Sequence, residues 1–135
     1  MVNAQFRWPV RVYWEDTDGG GVVYHTNYIK FMERARTEWL RAKGYEQSVL
    51  QRQGIVFAVY GIQIQFVKPA RLDDSLEVSI RLSGCRRASF SVAQRILNTA
   101  DRSELCRGEI EIACLDAARF RPCPIPAALL TEIQR

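Results

Sequence analysis

The longest helical signal in this chain is the segment YIKFMERARTEWLRAK, residues 28–43. Its apolar residues recur at spacings of four, three, four and three: Tyr28, Met32, Ala35, Trp39 and Ala42. This periodicity places them on one face of an amphipathic α-helix. Asn27 suits the N-cap position before the helix, and Gly44 suits the position just after its end. The pattern predicts a helix from about Tyr28 to Lys43, roughly 24 Å long.

Outside this helix the apolar pattern has a period of two, which is typical of β-strands. Phe6 to Trp14 alternates in this way, and its Pro9 indicates an edge strand or a bulge. Four further alternating sets follow the helix: Ile62, Ile64 and Phe66; Leu76, Val78, Ile80 and Leu82; Phe90, Val92 and Ile96; Ile110, Ile112 and Cys114. Turn signals separate these sets, so we expect hairpin connections. Short helices are expected at Ser48 to Arg52 and near the C-terminus.

This order of elements predicts an α+β fold, a five-stranded antiparallel sheet wrapped around one long helix. The 135 residues suit a single domain, residues 1–135. One helix leaves the sheet edges uncovered, and exposed edges favour pairing with a second copy. We therefore expect a homodimer.

Composition narrows the class of protein. The chain is 47% hydrophobic and 25% charged, a normal globular balance. Its start has no long apolar run, and no segment has the length of a membrane span, so we expect a cytoplasmic protein. The four cysteines form no CxxC pair and there is one histidine, so no metal site is expected. A net charge of +4 suits an anionic ligand but does not by itself indicate nucleic acid.

The segment EDTDGGGVVYHTNY, residues 15–28, carries most of the functional signal. Three carboxylates, three consecutive glycines and the only histidine fall just before the predicted helix. A helix start offers unpaired N–H groups and a partial positive charge, which suit a polarised carbonyl or an anion. Glycines let a ligand approach the backbone without a Cβ in the way.

The run from Val12 to Leu40 resembles the hotdog-fold acyl-CoA thioesterases of the 4-hydroxybenzoyl-CoA thioesterase family, and within it the Tol-Pal-associated YbgC group. The segments 66–70 and 86–90 extend the resemblance over the whole chain. It implies homodimers that share one continuous sheet and stack into homotetramers. It also implies hydrolysis of a CoA thioester with no metal or cofactor, since CoA is part of the substrate. The active sites are then expected at the subunit interface.

The resemblance also assigns roles to residues of the segment before the helix. Asp18, the second aspartate of a D-x-D pattern, matches the catalytic carboxylate, which acts as nucleophile or as general base. His25 matches a histidine whose backbone N–H polarises the thioester carbonyl. Tyr24, Thr26 and Asn27 beside it are predicted to contact the substrate.

A second segment resembles the part of the family that contacts the nucleotide end of CoA. Arg86, Arg87 and Ser89 match this pattern. Ala88 stands where the family carries a lysine, so one phosphate contact is not expected here.

Each of these residues has a simpler explanation in the sequence alone. Asp16 and Asp18 are also typical of turns and caps, and the glycines are typical of a tight turn. A single histidine is more often solvated than reactive. Arg86 and Arg87 also fit a solvated hairpin.

The sequence does not decide which acyl group the CoA substrate carries. The resemblance favours a short- or medium-chain aliphatic acyl-CoA, but Phe57, Tyr60 and Phe66 suit an aryl-CoA as well. A non-catalytic module that binds an acyl carrier or a membrane-associated protein is a further alternative. The resemblance also implies a location in the cytoplasm at the periphery of the inner membrane. A metal hydrolase built on the acids and His25 is disfavoured, because adjacent carboxylates do not converge on one ion. We expect no nucleic-acid partner.

Overall fold

The computed structural model describes residues 5–135, and its elements follow the predicted order. They are β1 (Phe6–Arg11), α1 (His25–Ala42), α2 (Gln47–Arg52), β2 (Ile55–Phe66), β3 (Ser75–Cys85), β4 (Ser89–Asn98), β5 (Glu104–Asp116) and α3 (Ala127–Ile133). A single 3-10 turn, Trp14–Asp16, lies between β1 and α1. The α+β prediction is confirmed.

The five strands form one antiparallel sheet in the order β1-β3-β4-β5-β2. β1 is an edge strand, as Pro9 indicated, and β2 is the other edge. The hairpin prediction holds for β3 with β4 and for β4 with β5, but it is wrong for β2 with β3. β2 pairs with β5 at the far edge instead. A period of two identifies a strand but carries no information about which strand lies beside it.

Helix α1 is buried along one face against this sheet. Its buried apolar residues are Tyr28, Phe31, Met32, Ala35, Trp39 and Leu40. They meet the inward side chains of the central strands, among them Leu76, Val78, Ile80, Val92 and Ile110. The predicted stripe is confirmed except at its end, where Ala42 is exposed because it lies in the last turn of the helix.

Both ends of α1 have specific backbone contacts. The helix begins at His25, three residues earlier than predicted, and its N-cap is Tyr24 rather than Asn27. It ends at Ala42, and Gly44 follows with a φ of +90°, a conformation that favours glycine. The Tyr45 N–H then donates to the Leu40 carbonyl at 2.9 Å, which closes the last turn as a Schellman motif.

The inward face of β2 is only partly covered, because α1 packs against β3 and β1. Ile62 is 42% exposed and Phe66 is 48% exposed, although their alternation predicted half-buried positions. The side chains point in the predicted direction, since Ile62 pairs with the buried Ile110 and Phe66 with the buried Cys106. β2 therefore presents both an unpaired backbone edge and apolar side chains.

We expect Phe31→Ala to lower the free energy of unfolding by about 3–5 kcal/mol, because the fully buried ring leaves a cavity under α1. Arg34→Ala, at an exposed position of the same helix, is the matched control and should change it by no more than about 0.5 kcal/mol. Urea unfolding followed by circular dichroism measures both. Equal losses in the two variants would contradict the proposed burial of this face.

Candidate active site

The loop between β1 and α1 is held to the helix by Asp16. This residue is 6% exposed, and its Oδ1 accepts a hydrogen bond from Asn27 Nδ2 at 2.9 Å. Its Oδ2 accepts from the Tyr13 N–H at 2.9 Å, and its carbonyl accepts from the Tyr24 N–H at 2.9 Å. Both carboxylate oxygens are therefore engaged in fixing the loop. Asp16 is a structural residue, and the Asn27 side chain, predicted as a cap and a substrate contact, is its buried partner.

Asp18 lies two residues further along and is exposed. Its N–H donates to the Val22 carbonyl at 3.0 Å, which closes a tight turn through the three glycines. Gly19 and Gly21 adopt φ angles of +88° and +85°, which side chains disfavour. Oδ1 of Asp18 accepts from the Gly20 N–H at 2.8 Å, whereas Oδ2 has no hydrogen bond within residues 5–135. One oxygen orients the carboxylate and the other remains open to solvent.

The beginning of α1 lies beside this turn. Thr17 forms an antiparallel bridge with Val23, which places Asp18 roughly 8 Å from Tyr24 between Cα atoms. The N–H groups of His25 and Thr26 have no hydrogen-bond partner among the described residues, as expected for the first turn of a helix. The open carboxylate oxygen and the two open backbone donors thus lie at the same junction between the loop and α1.

The His25 side chain lies over a hollow of about 230 Å³ that Tyr28, Phe66 and Pro69 help to line. Its ring centroid is 4.6 Å from that of Tyr24 and 6.2 Å, edge-on, from that of Phe66. Tyr28 is a buried residue of the lining of this hollow, and its hydroxyl accepts a hydrogen bond from the Ala70 N–H at 2.9 Å. Burial raises the pKa of this tyrosine, so its hydroxyl stays neutral.

The predicted nucleotide contacts lie at the opposite end of the sheet. Ser89 pairs with Ala113 of β5, whereas Phe66, beside His25, pairs with Cys106. Those two β5 positions are seven residues apart, so the two groups are separated by about 23 Å along the sheet. Arg86 and Ser89 line a second hollow of about 320 Å³, and Arg87 is exposed next to it. One chain does not bring the two halves of the predicted site together.

A buried polar pair under α1 was missed by sequence reasoning. Arg36 is 7% exposed, and its Nη1 donates to Gln94 Oε1 at 3.0 Å. Gln94 Nε2 donates in turn to the Met32 carbonyl at 3.1 Å. The spacing of both residues indicated an inward position. Arg36 follows Met32 by four residues on the helix, and Gln94 lies between Val92 and Ile96 on the inward face of its strand.

The thiols of Cys106 and Cys114 are poorly suited to catalysis. Burial raises the pKa of Cys106 to about 12, and it also raises the pKa of Cys114 to about 12, with a hydrogen bond to Cys123 as a second cause. Both are protonated near neutral pH, and a protonated thiol is a weak nucleophile. Cys114 is fully buried in the core, as its strand position predicted. Within residues 5–135, no three histidine, cysteine, aspartate or glutamate residues form a group that could hold a metal ion.

Comparison with known proteins identifies the family. The family model of the Thioesterase-like superfamily matches residues 12–133 of this chain. The chain belongs to this superfamily. The acyl-CoA thioester hydrolase YbgC of Escherichia coli O6:H1 is 42% identical over 135 residues, which is 100% of each chain.

Two solved structures share the fold. A probable thioesterase from Bartonella henselae is 35% identical, has a TM-score of 0.85, and matches over 91% of this chain and 100% of that chain. A 1,4-dihydroxy-2-naphthoyl-CoA thioesterase from Synechocystis is 24% identical, with a TM-score of 0.90 over 96% of each chain. The predicted hotdog fold is confirmed.

We expect Asp16→Ala to lower the free energy of unfolding by about 1–3 kcal/mol, because it leaves the Tyr13 N–H and the Asn27 amide without their acceptors. Asp18→Ala removes an exposed carboxylate and should change it by about 0.5 kcal/mol or less. Thermal and urea unfolding of the two variants measure the difference. A larger loss for Asp18→Ala would reverse the assignment of the structural and the open carboxylate.

Proposed function

We propose that residues 1–135 form a single hotdog thioesterase domain that hydrolyses a short- or medium-chain acyl-CoA to the free acid and CoA. The observation that carries the proposal is the open Asp18 oxygen in the loop that leads into α1, together with the unpaired amides of His25 and Thr26 at the start of that helix. Full-length similarity to an acyl-CoA thioester hydrolase supports it. The open carboxylate supplies a nucleophile or base, and the helix start supplies donors for the developing oxyanion.

In the proposed reaction, Asp18 adds to the carbonyl carbon or removes a proton from a water that adds. Negative charge then develops on the carbonyl oxygen, where the backbone N–H of His25 and the dipole of α1 stabilise it. The C–S bond breaks as the carbonyl reforms, and CoA leaves as a thiolate. This leaving group needs no strong general acid. When water is the nucleophile this step gives the free acid directly; when Asp18 is the nucleophile it leaves a mixed anhydride, which water hydrolyses to the free acid and the Asp18 carboxylate. The chemistry requires no cofactor, and CoA enters only as part of the substrate. The imidazole of His25 is not needed for any of these steps.

We further propose that the site is completed by a second copy across β2. An antiparallel pairing centred on Gly61, close to the middle of the strand, joins eleven of the twelve residues of β2. It places Phe66 of one copy opposite Val56 of the other. Val56 lies two residues from Ala58, which pairs with Ala113 of β5, and Ala113 in turn pairs with Ser89 of β4. The Asp18 loop of one subunit then lies near the Arg86 end of the other, which removes the separation of about 23 Å within one chain.

The exposed apolar side chains of β2 support such a dimer. Val59, Tyr60 and Ile62 are exposed in the single chain, and burying them together with an unpaired strand edge is favourable. Tyr24 and Thr26 would then line the reacting end, and Arg86, Arg87 and Ser89 the nucleotide end. Stacking of two dimers would give the homotetramer.

An aryl-CoA is the second candidate substrate. Phe57, Tyr60 and Phe66 place aromatic rings along β2, and rings of this kind pack well against a flat acyl group. The Synechocystis protein named above is a 1,4-dihydroxy-2-naphthoyl-CoA thioesterase, which favours the same candidate.

Within residues 5–135, no helix is both long and apolar enough to cross a membrane. We propose a cytoplasmic enzyme that works at the periphery of the inner membrane, where an acyl-carrier or membrane-associated protein is its further partner.

We expect Asp18→Ala to lower kcat by about 10²–10⁴-fold, because the carboxylate acts in the chemical step. Release of the CoA thiol from a panel of alkyl- and aryl-CoAs, detected with a thiol reagent, measures it. Glu15→Ala, at the exposed acid three residues earlier, is the matched control and should stay within twofold. Alanine is preferred to asparagine, because an asparagine before Gly19 would deamidate back to a carboxylate. If the wild-type protein releases no thiol from any substrate, the non-catalytic module is favoured instead.

Mixing two inactive variants tests the composite site. Each proposed site combines Asp18 of one subunit with Arg86 and Arg87 of the other. Asp18→Ala and the double variant Arg86→Ala/Arg87→Ala therefore damage the two different halves of the site. In a refolded equimolar mixture, half of the dimers are mixed, and each mixed dimer holds one intact site. At subsaturating acyl-CoA we expect activity to recover to about a quarter of the wild-type value. Activity equal to the mean of the two pure variants would contradict a site shared between subunits.

A further inference from the structure

Arg36 is a buried cation with few partners. Its guanidinium carries five N–H donors, and one of them is used, in the hydrogen bond to Gln94. No carboxylate of the described residues lies within ion-pair distance of it. Glu33, one turn earlier on α1, acts on Arg36 only through its longer-range charge and is itself exposed. A charge that is buried without an acceptor is strongly unfavourable, so a further acceptor is expected.

The cation cannot avoid this environment by losing its proton or by moving away. Burial lowers the pKa of Arg36, but guanidinium groups remain charged in proteins. Gln94 holds the side chain in place and is itself fixed by the Met32 carbonyl.

Arg36 lines a cavity of about 330 Å³ between α1 and β2. The rest of the lining is mainly apolar and includes Trp39, Phe57, Val59 and Phe90, with Glu33 as the other charged residue. The cavity lies beside the edge strand that the proposed dimer would pair. Across that pairing, the reacting end of the partner's site lies next to Phe57, because the partner's Phe66 is opposite Val56.

We propose that this cavity receives the acyl group, and that Arg36 selects acyl chains that end in a carboxylate over plain alkyl chains of the same length. This inference rests on the proposed thioesterase function and on the proposed dimer. The apolar walls bury the methylene groups of the chain, and the guanidinium binds the terminal carboxylate through its unused donors. Glu33 weakens this preference without cancelling it, because its exposed carboxylate is screened by water.

The test compares substrates that differ only at the far end. Adipoyl-CoA is measured against hexanoyl-CoA, and suberoyl-CoA against octanoyl-CoA, each corrected for hydrolysis without enzyme. We expect the wild-type protein to have a higher kcat/KM for the carboxylate member of each pair. Arg36→Met should lower the ratio of the two kcat/KM values by about 10- to 100-fold, because it removes a charged hydrogen bond and keeps an unbranched apolar side chain.

Two further variants separate this role from a structural one. Arg34→Met removes an exposed charge from the same helix and should leave the ratio unchanged. Glu33→Gln removes the opposing charge and should raise the ratio. Arg36→Met is expected to fold, because replacing a buried, poorly paired ion with an apolar residue of similar volume is often neutral or stabilising. The ratio of kcat/KM values for the two substrates is measured first in the wild-type protein, so this part of the test does not depend on the folding of any variant.

The outcomes are distinguishable. Efficient hydrolysis of hexanoyl-CoA without preference for adipoyl-CoA would overturn this inference and leave the proposed function intact. If neither hexanoyl-CoA nor adipoyl-CoA is hydrolysed, both this inference and the proposed function are wrong. If Arg36→Met lowers kcat/KM equally for both members of a pair and changes the molecular mass in solution, Arg36 binds a carboxylate of the second copy, and the inference is wrong.

Discussion

Burial of one helix against one side of a sheet is the constraint on which the rest of this structure depends. α1 presents a continuous apolar face, and the inward side chains of β3, β4 and β5 cover it. A helix about 10 Å wide cannot cover five strands, and this one lies towards β3 and β1. β2 consequently keeps exposed apolar side chains and a cavity beside α1, and its place at the end of the sheet leaves its backbone edge unpaired. The features proposed for dimerisation and acyl binding result from this edge position and from the incomplete coverage.

The loop before α1 shows how two nearby carboxylates acquire different roles. Asp16 is buried, with both oxygens bound, so it fixes the loop against the start of the helix. Asp18 is separated from Asp16 by Thr17 alone and begins the glycine turn, with one carboxylate oxygen held and one open. A reactive group needs a fixed position and an available lone pair, and the two residues supply these properties separately.

The polar pair under α1 has a different physical character. Gln94 is satisfied by Arg36 and by the helix backbone, opposite Gly108, which has no side chain to fill the inward space. Arg36 is satisfied only in part. A hydrophobic residue at this position would pack into the same core without a desolvation penalty. The presence of a poorly paired cation beside a cavity therefore points to a ligand rather than to stability.

The sequence by itself determined the strands, the helix and the order in which they occur, because periods of two and of about four are local properties of the chain. It also determined the segment that carries the candidate chemistry, through the resemblance of Asp18 and His25 to a family pattern. Only the tertiary structure decided that β2 lies at the edge next to β5, since strand pairing joins residues far apart in sequence. It likewise decided that Asp16 is buried, that Asn27 is its partner, and that Arg36 pairs with Gln94. Burial and partnership depend on what the rest of the chain places around a residue, and no local pattern of residue types contains that information.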